Sequence, residues 1–201
     1  MLEKKGRIPM TNLTKVRFLG AIFTAVFLVG CTHSYTSNPK VVCKCPAALQ
    51  EPTIAGNNIT VPIAVSITPD GSGGFTFRYN GFFTDPQGNI NLATGDANKR
   101  NVLLRFIIAD APAGMKFKAD GREAMYIIER SLLDDPTASP TKPYDGKQFQ
   151  KFNTSSDGRV LTVFDRNDDS TVYRYSLRFD FNGRTVVHDP DTSNGGGHGL
   201  Q

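Results

Sequence analysis

The sequence lacks tryptophan and contains few of the side chains that most often carry out catalysis. Its 201 residues include three His and three Cys, and neither a Gly-x-Ser-x-Gly nor a His-Glu-x-x-His motif occurs. Nucleophilic catalysis needs a base beside a nucleophile, and a structural zinc site needs four suitably spaced ligands. The 12 Pro and 19 Gly exclude a coiled coil, and 39% hydrophobic residues are too many for full disorder. The sequence is therefore that of a loop-rich globular protein.

A basic surface suited to nucleic acid is also missing. Residues 1–30 hold five of the 23 basic residues and one of the 19 acidic residues, so the rest of the chain has 18 of each. Proteins that bind phosphate backbones carry a basic patch or stripe on their folded part. Because the remainder is neutral, we predict no nucleic-acid partner.

The N-terminal apolar run is too short for a transmembrane helix. Residues 18–30 are uncharged and number 13, whereas a helix needs about 20 residues to cross about 30 Å of hydrocarbon. Lys15 and Arg17 precede the run, as in the charged and apolar regions of a secretory signal. We predict that residues 1–30 are a signal peptide, with either Met1 or Met10 as its start.

The end of this signal resembles the lipobox of bacterial lipoproteins. Leu28-Val29-Gly30-Cys31 has a small residue before a cysteine at the end of the apolar run. The resemblance implies cleavage before Cys31, diacylglycerol on its thiol, and fatty acyl chains such as palmitate that anchor the protein firmly. In the enterobacterial sorting pattern, Thr32 in place of Asp implies the outer membrane, facing the periplasm or the cell surface.

Residues 31–56 are rich in Ser, Thr, Asn, Pro and Lys, and they predict a flexible tether between lipid and domain. Cys43 and Cys45 lie within it. In an oxidising compartment they can bridge to each other, bond to another chain, or bind a soft metal with His33. Two thiolates and one distant imidazole are too few for a structural metal site, so we favour a disulfide.

Beyond the tether the hydrophobic period is two, which predicts strands. The candidates are residues 59–67, 75–79, 102–109, 115–119, 125–129, 159–165, 172–181 and 185–189. Seven or eight short strands predict an all-β fold at 57–192, an antiparallel β-sandwich of Ig-like or transthyretin-like type. Residues 122–133 also fit a helix, residues 133–151 predict a long loop, and residues 193–201 predict a disordered Gly-rich tail.

The last hairpin is the best-specified element. Asn182-Gly183 is a preferred type I′ turn, and it sets a register in which paired residue numbers sum to 365. The predicted pairs are Phe179 with Val186, Leu177 with His188, Arg174 with Asp191 and Ser176 with Asp189. Alternation along β-structure then places the aromatic residues in the core and the polar ones in solvent.

One combination near this hairpin offers catalytic side chains. His188 with Asp189 and Asp191 predicts an alternative function, that of an envelope hydrolase or metal-dependent enzyme. The register places His188 on the apolar face, where a structural histidine is the better interpretation. No residue is therefore predicted to be catalytic in the favoured hypothesis.

The segment between the strands at 159–165 and 172–181 offers oxygen ligands. Asp165, Asn167 and Asp169 alternate as a Ca²⁺ loop requires. Ser170 stands where an EF-hand has Gly, and Ser176 stands where it has Glu. The three residues are weak metal candidates, and a plain turn is the favoured interpretation. Elsewhere, three aromatic residues surround the Asn80-Gly81 turn, namely Tyr79, Phe82 and Phe83. They can form an exposed patch that binds a partner or a sugar, or they can belong to the core.

A second resemblance is spread over the C-terminal part of the chain. The segments Val163-Phe164-Asp165, Tyr173 to Arg178, His188-Asp189-Pro190 and Asn194-Gly195-Gly196 look like the C-terminal pattern of small bacterial DP-EP-type proteins. That resemblance implies a compact β-domain and no particular activity. The overall prediction is a lipid-anchored envelope protein that acts as a binding or structural-interaction module, without a cofactor, with the membrane and a protein of the envelope as partners.

Overall fold

Alternating apolar residues assemble into two sheets in the part of the chain that the computed structural model describes, residues 51–195. Each sheet has six strands, and the two pack face to face around one hydrophobic core. The predicted all-β sandwich is confirmed. Within this described range, no helix is long and apolar enough to cross a membrane.

The first sheet is built on a long central strand. Its members are β1 (Thr53–Ala55), β2 (Asn58–Pro69), β3 (Phe75–Asn80), β5 (Asn101–Asp110), β8 (Phe149–Thr154) and β9 (Val160–Asp165). The order is β1-β2-β5-β9-β8, with β3 also pairing with β2. Strand β2 contributes every second residue to the core, from Ile59 to Ile67, as its apolar alternation predicts.

The second sheet is built on β10. Its members are β4 (Ile90–Asn91), β6 (Lys116–Phe117), β7 (Met125–Glu129), β10 (Val172–Phe181), β11 (Arg184–His188) and β12 (Asp191–Ser193). The order is β11-β10-β12-β4, and β6 and β7 also pair with β10. Tyr175 on β10 packs against Phe106 on β5, with 5.9 Å between ring centroids, so the two sheets share these aromatic side chains.

Between residues 51 and 195, helical structure is limited to short turns. A four-residue helix, α1 (Gly121–Ala124), begins after Asp120, whose carboxylate accepts a hydrogen bond from the Arg122 backbone N–H. Turns of 3₁₀ helix occupy Gly95–Lys99 and Arg130–Leu132. The ambiguous segment at 122–133 is thus one turn of helix, then β7, then a second short turn.

The structure corrects several details of the predicted architecture. Two strand pairs, β2 with β5 and β4 with β12, are parallel, so the sheets are mixed rather than wholly antiparallel. After β3 the chain passes through β4 in the second sheet. Strand β5 then re-enters the first sheet beside β2 and runs in the same direction as β2. Residues 51–195 contain twelve strands instead of seven or eight. Strands β1, β4 and β12 are too short to show a readable period, and β8 begins inside the segment predicted as a loop.

Both predicted boundaries of the domain also shift. Strand β1 lies in the segment predicted as tether and pairs with β2 in a tight hairpin. At the other end, Ser193 belongs to β12 and Asn194 is only 3% exposed, so the predicted tail does not begin at residue 193. Polar hydrogen bonds rather than apolar contacts hold Asn194, and hydrophobic periodicity cannot reveal them. The loop predicted over 133–151 ends earlier, since β8 begins at Phe149.

The register predicted for the last hairpin is confirmed. Phe179 pairs with Val186 and Leu177 pairs with His188. The same register continues beyond the hairpin, where Arg174 of β10 pairs with Asp191 of β12. The predicted solvent face of β10 is partly wrong, because Ser176 is completely buried. The loop between β7 and β8 reaches over this face, where Pro136 accepts a hydrogen bond from Arg174.

Candidate functional site

The three cysteines lie outside the described residues. Lipid attachment at Cys31 and a disulfide involving Cys43 and Cys45 therefore stay predictions from the sequence. The described residues 51–195 do contain the other candidates, namely His188 with its two aspartates and the Asp165 segment.

His188 packs into the aromatic end of the sandwich. Its Nδ1 lies 2.8 Å from the Tyr79 hydroxyl, and its ring stacks on Phe77 with 4.5 Å between centroids. Burial lowers the pKa of His188 below its ordinary value of 6.5, and the charge of Asp189 partly opposes that shift. A neutral imidazole between two aromatic rings is a packing element with its polar atom satisfied.

Asp189 and Asp191 are engaged elsewhere. Asp189 accepts hydrogen bonds from Ser176 on β10 and from Ser139 in the loop between β7 and β8, the latter at 2.6 Å. Asp191 forms ion pairs with Arg130 at 3.1 Å and Arg174 at 3.2 Å. These contacts fasten the loop and β7 to β10 and β12.

The structure does not join His188, Asp189 and Asp191 into one hydrogen-bonded group. Each of the three has its own partners, and among the described residues no hydrogen bond or ion pair connects the imidazole to either carboxylate. A hydrolase mechanism needs the base within hydrogen-bond reach of the group it activates. The hydroxyl that His188 does reach is Tyr79, whose pKa is raised by burial and which is itself only 5% exposed.

The Asp165 segment forms a buried polar cluster. Asp165 is fully buried, and its Oδ1 accepts hydrogen bonds from Gln148 Nε2, the Asn167 backbone N–H and Asn194 Nδ2 at 2.9, 2.8 and 3.2 Å. Burial raises the pKa of Asp165 to about 7, although these donors act in the opposite direction. We call Asp165, Asp169 and Asn194 the carboxylate cluster.

Asp169 joins this cluster to a tyrosine. Its Oδ1 lies 3.3 Å from Asn194 Nδ2, and its Oδ2 accepts a hydrogen bond of 2.7 Å from the Tyr173 hydroxyl. Desolvation and the Asp169 carboxylate both raise the pKa of Tyr173, so the phenol stays protonated and donates. One amide nitrogen and one phenol thus connect two carboxylates and β10.

Asn167, the third predicted metal candidate, has a structural role. Its backbone has φ of +49°, its Nδ2 donates to the Ala97 carbonyl at 2.7 Å, and its Oδ1 accepts from the Gly195 N–H at 2.8 Å. Both ends of the amide are therefore used in joining the C-terminal segment to the turn at Gly95–Lys99.

A cavity of about 310 Å³ opens beside Tyr173, at the outer edge of β7. Its apolar wall includes Ile127, Tyr144 and Tyr173, and polar side chains at its rim include Glu129 and Lys142. The size is at the lower end of the range for small-molecule sites, which combine apolar walls with a few polar groups. We call this the Tyr173 cavity.

The walls of the Tyr173 cavity are braced by aromatic contacts. Phe149 meets Tyr173 edge-on with 4.9 Å between centroids and meets Tyr144 edge-on at 5.3 Å. The Tyr144 hydroxyl accepts a hydrogen bond from the Gln148 N–H, and the Gln148 side chain donates to Asp165. The carboxylate cluster thus lies behind the wall of the cavity and is joined to it through Tyr173 and Gln148.

The predicted aromatic patch is only partly a surface. Tyr79 is buried and Phe83 packs against the core, whereas Phe82 is 49% exposed beside an open groove of about 400 Å³. Asp85, on the same groove, accepts hydrogen bonds from Gln87 and Asn89 within its own turn. The Asp85 carboxylate is therefore used within its own turn.

Comparison with known proteins does not assign a family. No family model matches the chain, and no curated protein matches it significantly. The geometry of residues 51–195 and the pattern of the sequence are therefore the basis for a functional proposal.

Sequence reasoning missed the Tyr173 cavity and one of the three residues of the carboxylate cluster, Asn194. Tyr144 lies in a Pro- and Gly-containing loop without periodicity, so no pattern predicts that it faces Tyr173. Asn194 is 29 residues from Asp165 and lies in the segment predicted as a tail. The available signal was a Tyr-Asp-Gly sequence inside the long loop, and nothing in the residues beside Asn194 marks its burial.

Proposed function

We propose that this chain is a lipid-anchored protein of the bacterial cell envelope whose β-sandwich is a binding module, with the Tyr173 cavity as its ligand site. The observation that carries the binding role is the cavity itself. It combines an opening to solvent, two tyrosine walls and a charged rim, and it is built on strands rather than on loops alone.

The sequence supports the anchor. Cys31 ends a charged-then-apolar segment in a lipobox-like tetrapeptide, and the following residues are polar and rich in Ser and Thr. Acylation at that position attaches the domain to a bilayer without a contribution from the rest of the chain. A neutral domain on a tether suits interaction with a ligand or protein of the envelope.

The contacts of the ionisable side chains favour binding over catalysis. Asp189 and Asp191 hold the loop that forms the cavity rim, His188 is stacked among aromatic rings, and Asp169 is bonded to Tyr173. These groups are used to position neighbouring segments.

The rim of the cavity offers a direct test. Leu132 lines the cavity and is 69% exposed, so a photo-crosslinking amino acid placed there would report what enters. The same amino acid at Thr185, exposed on β11 away from the cavity, is the matched control. Irradiation of the full chain in native membranes should give a discrete adduct at position 132 that is absent at position 185.

A second substitution separates cavity binding from general proximity. Tyr144→Ala removes one wall of the cavity while leaving Leu132 in place, and circular dichroism can verify that the sandwich is retained. We expect the adduct at position 132 to be lost in this background. Identical adducts at positions 132 and 185, or an adduct that persists unchanged in Tyr144→Ala, would refute the assignment of the cavity.

A further inference from the structure

Two side-chain oxygens of the carboxylate cluster are buried without a hydrogen-bond partner. They are Asp165 Oδ2 and Asn194 Oδ1, in residues that are 0% and 3% exposed. A third such oxygen, Asn98 Oδ1, lies against Gly195 so closely that a Cβ would not fit at that glycine. Folded proteins leave few buried acceptors unpaired, and an ion or a water is a common explanation where they do.

The charges of the cluster are also uncompensated by protein cations. Asp165 and Asp169 are both held to Asn194, yet neither forms an ion pair with a Lys, Arg or His among residues 51–195. The nearest positively charged residue along the chain, Arg166, forms its ion pair with Asp168 at 2.5 Å instead. Two carboxylates, one of them fully buried, are thus held near one amide group without a positive partner.

The spacing around Asn194 fits a bound cation as well as it fits hydrogen bonds. Its amide nitrogen is 3.2 Å from Asp165 Oδ1 and 3.3 Å from Asp169 Oδ1, at the upper limit of the usual N–H···O range and just beyond it. Rotating the amide by half a turn exchanges its nitrogen and oxygen, because the two ends are nearly the same in shape. Oxygens bound at right angles to one Ca²⁺ at 2.3–2.6 Å lie about 3.3–3.7 Å apart.

We propose that the carboxylate cluster is a binding site for a hard divalent cation such as Ca²⁺, with Asp165, Asp169 and the Asn194 amide oxygen as its protein ligands. Carboxylate and amide oxygens are the ligands that such cations prefer. Within the described part of the chain, no group of three or more His, Cys, Asp or Glu is arranged for a metal. The site therefore depends on the amide of Asn194, and water completes the coordination.

The position of the cluster indicates what the cation does. Asn194 follows β12, Asp165 ends β9, and Asp169 precedes β10, so one ion would join three segments at the same end of the sandwich. Asp169 also accepts the hydrogen bond from Tyr173, a wall residue of the cavity. The cation would stabilise the C-terminal segment whether or not the cavity binds a ligand, so the proposal does not depend on the proposed function.

Thermal denaturation of the full chain in a non-ionic detergent tests the site. The protein is first stripped with a chelator, and CaCl₂ or MgCl₂ is then added to millimolar concentration. A ligand that binds the folded state raises Tm, and at saturation we expect Ca²⁺ to raise it by about 3 °C or more. Equilibrium dialysis with radioactive Ca²⁺ should give about one ion per chain.

Matched variants assign the ion to this cluster. Asp165→Asn and Asp169→Asn should abolish the Ca²⁺-dependent shift, whereas Asp168→Asn, in the same segment but paired with Arg166, should keep it. If Asp165→Asn fails to fold, the less deeply buried Asp169 decides the question. An unchanged Tm with no bound Ca²⁺ in the parent protein, or a shift that survives both Asp165→Asn and Asp169→Asn, would overturn the proposal.

Discussion

Nδ1 of His188 lies 2.8 Å from the Tyr79 hydroxyl, which joins an edge strand of one sheet to an edge strand of the other. Phe77 stacks on the same imidazole, so the pair lies within an aromatic group that also includes Phe179. The histidine is best accommodated without charge, because burial disfavours the imidazolium more than Asp189 favours it.

The first prediction is that His188 makes the fold sensitive to mild acid. Its pKa in the folded state is lowered, so the unfolded chain binds the proton more readily. The stabilisation is complete above the ordinary value of 6.5 and is lost as the pH falls below it. Between about pH 8 and 5, acidification should lower the urea denaturation midpoint of the parent relative to that of His188→Gln. Asp165, whose pKa is raised in the folded state, acts in the opposite direction in both proteins, so its effect cancels in this comparison.

His198→Gln is the matched control, because it also removes one imidazole and leaves His188 in place. It should retain the pH dependence of the parent protein. If His188→Gln and the parent show the same slope, the titration of His188 does not contribute to stability in this range.

The second prediction concerns Phe179, whose side chain is fully buried against Phe77 and Phe117. Phe179→Ala removes a large core side chain and should lower the free energy of unfolding by about 3–5 kcal/mol. Val187→Ala, on β11 at 38% exposure, should change it by no more than about 0.5 kcal/mol. Chemical denaturation measures both, and equal midpoints for the two variants would contradict the burial of Phe179.

The hairpin containing Phe179 shows what local sequence can predict. Asn182 and Gly183 have φ of +50° and +76°, as a type I′ turn requires, and this turn chemistry fixes the pairing of the strands on either side. The apolar alternation of β10 then determines which side chains enter the core. Turn and alternation agree there, so both the element and its register were predictable.

The remaining features depend on contacts between distant segments. Strand β4 has two residues and is defined by its pairing with β12, about a hundred positions away, so no local period marks it. Asn167 reaches Ala97 across 70 residues, and Asn194 reaches Asp165 across 29. Hydrogen bonds between residues so far apart in the sequence form only because the fold brings them together, so local sequence does not predict them. The turn at Asp165 to Asp169 was visible in the sequence, but its burial was not.

The third prediction is that Cys31 carries the lipid anchor. Cys31→Ala removes the thiol that the lipobox-like segment presents for acylation, so processing should stop at an unlipidated form that keeps residues 1–30. Mass spectrometry of the protein from the membrane fraction should show diacylglycerol on Cys31 in the parent chain. Cys43→Ala is the control and should be lipidated normally. A parent protein found intact from residue 1 and without lipid would disprove the assignment.

The fourth prediction is that Cys43 and Cys45 are oxidised in the envelope. Exposed thiols in an oxidising compartment rarely stay reduced, and a ring closed over one intervening residue is tight, so a bond to another chain relieves strain. Non-reducing gels should show a fraction of covalent dimers or mixed disulfides that vanishes when both residues are changed to Ser. Labelling of both cysteines by a thiol reagent in freshly isolated envelopes would contradict this prediction and favour the metal-binding alternative with His33.

The fifth prediction concerns the loop that forms the rim of the Tyr173 cavity. Ser139 donates a 2.6 Å hydrogen bond to Asp189, which also accepts from Ser176, so the aspartate fastens the loop to the outer face of the second sheet. Ser139→Ala removes only the bond from the loop, and trypsin should then cleave after the exposed Lys147 several-fold faster than in the parent. Thr137→Ala is a matched control, because the Thr137 hydroxyl bonds to Asp135 within the same loop and not to the sheet. Faster cleavage in Thr137→Ala as well would mean that the loop is held by its internal turns. Faster cleavage in Ser139→Ala alone would identify the contact with Asp189 as the one that holds the rim of the cavity in place.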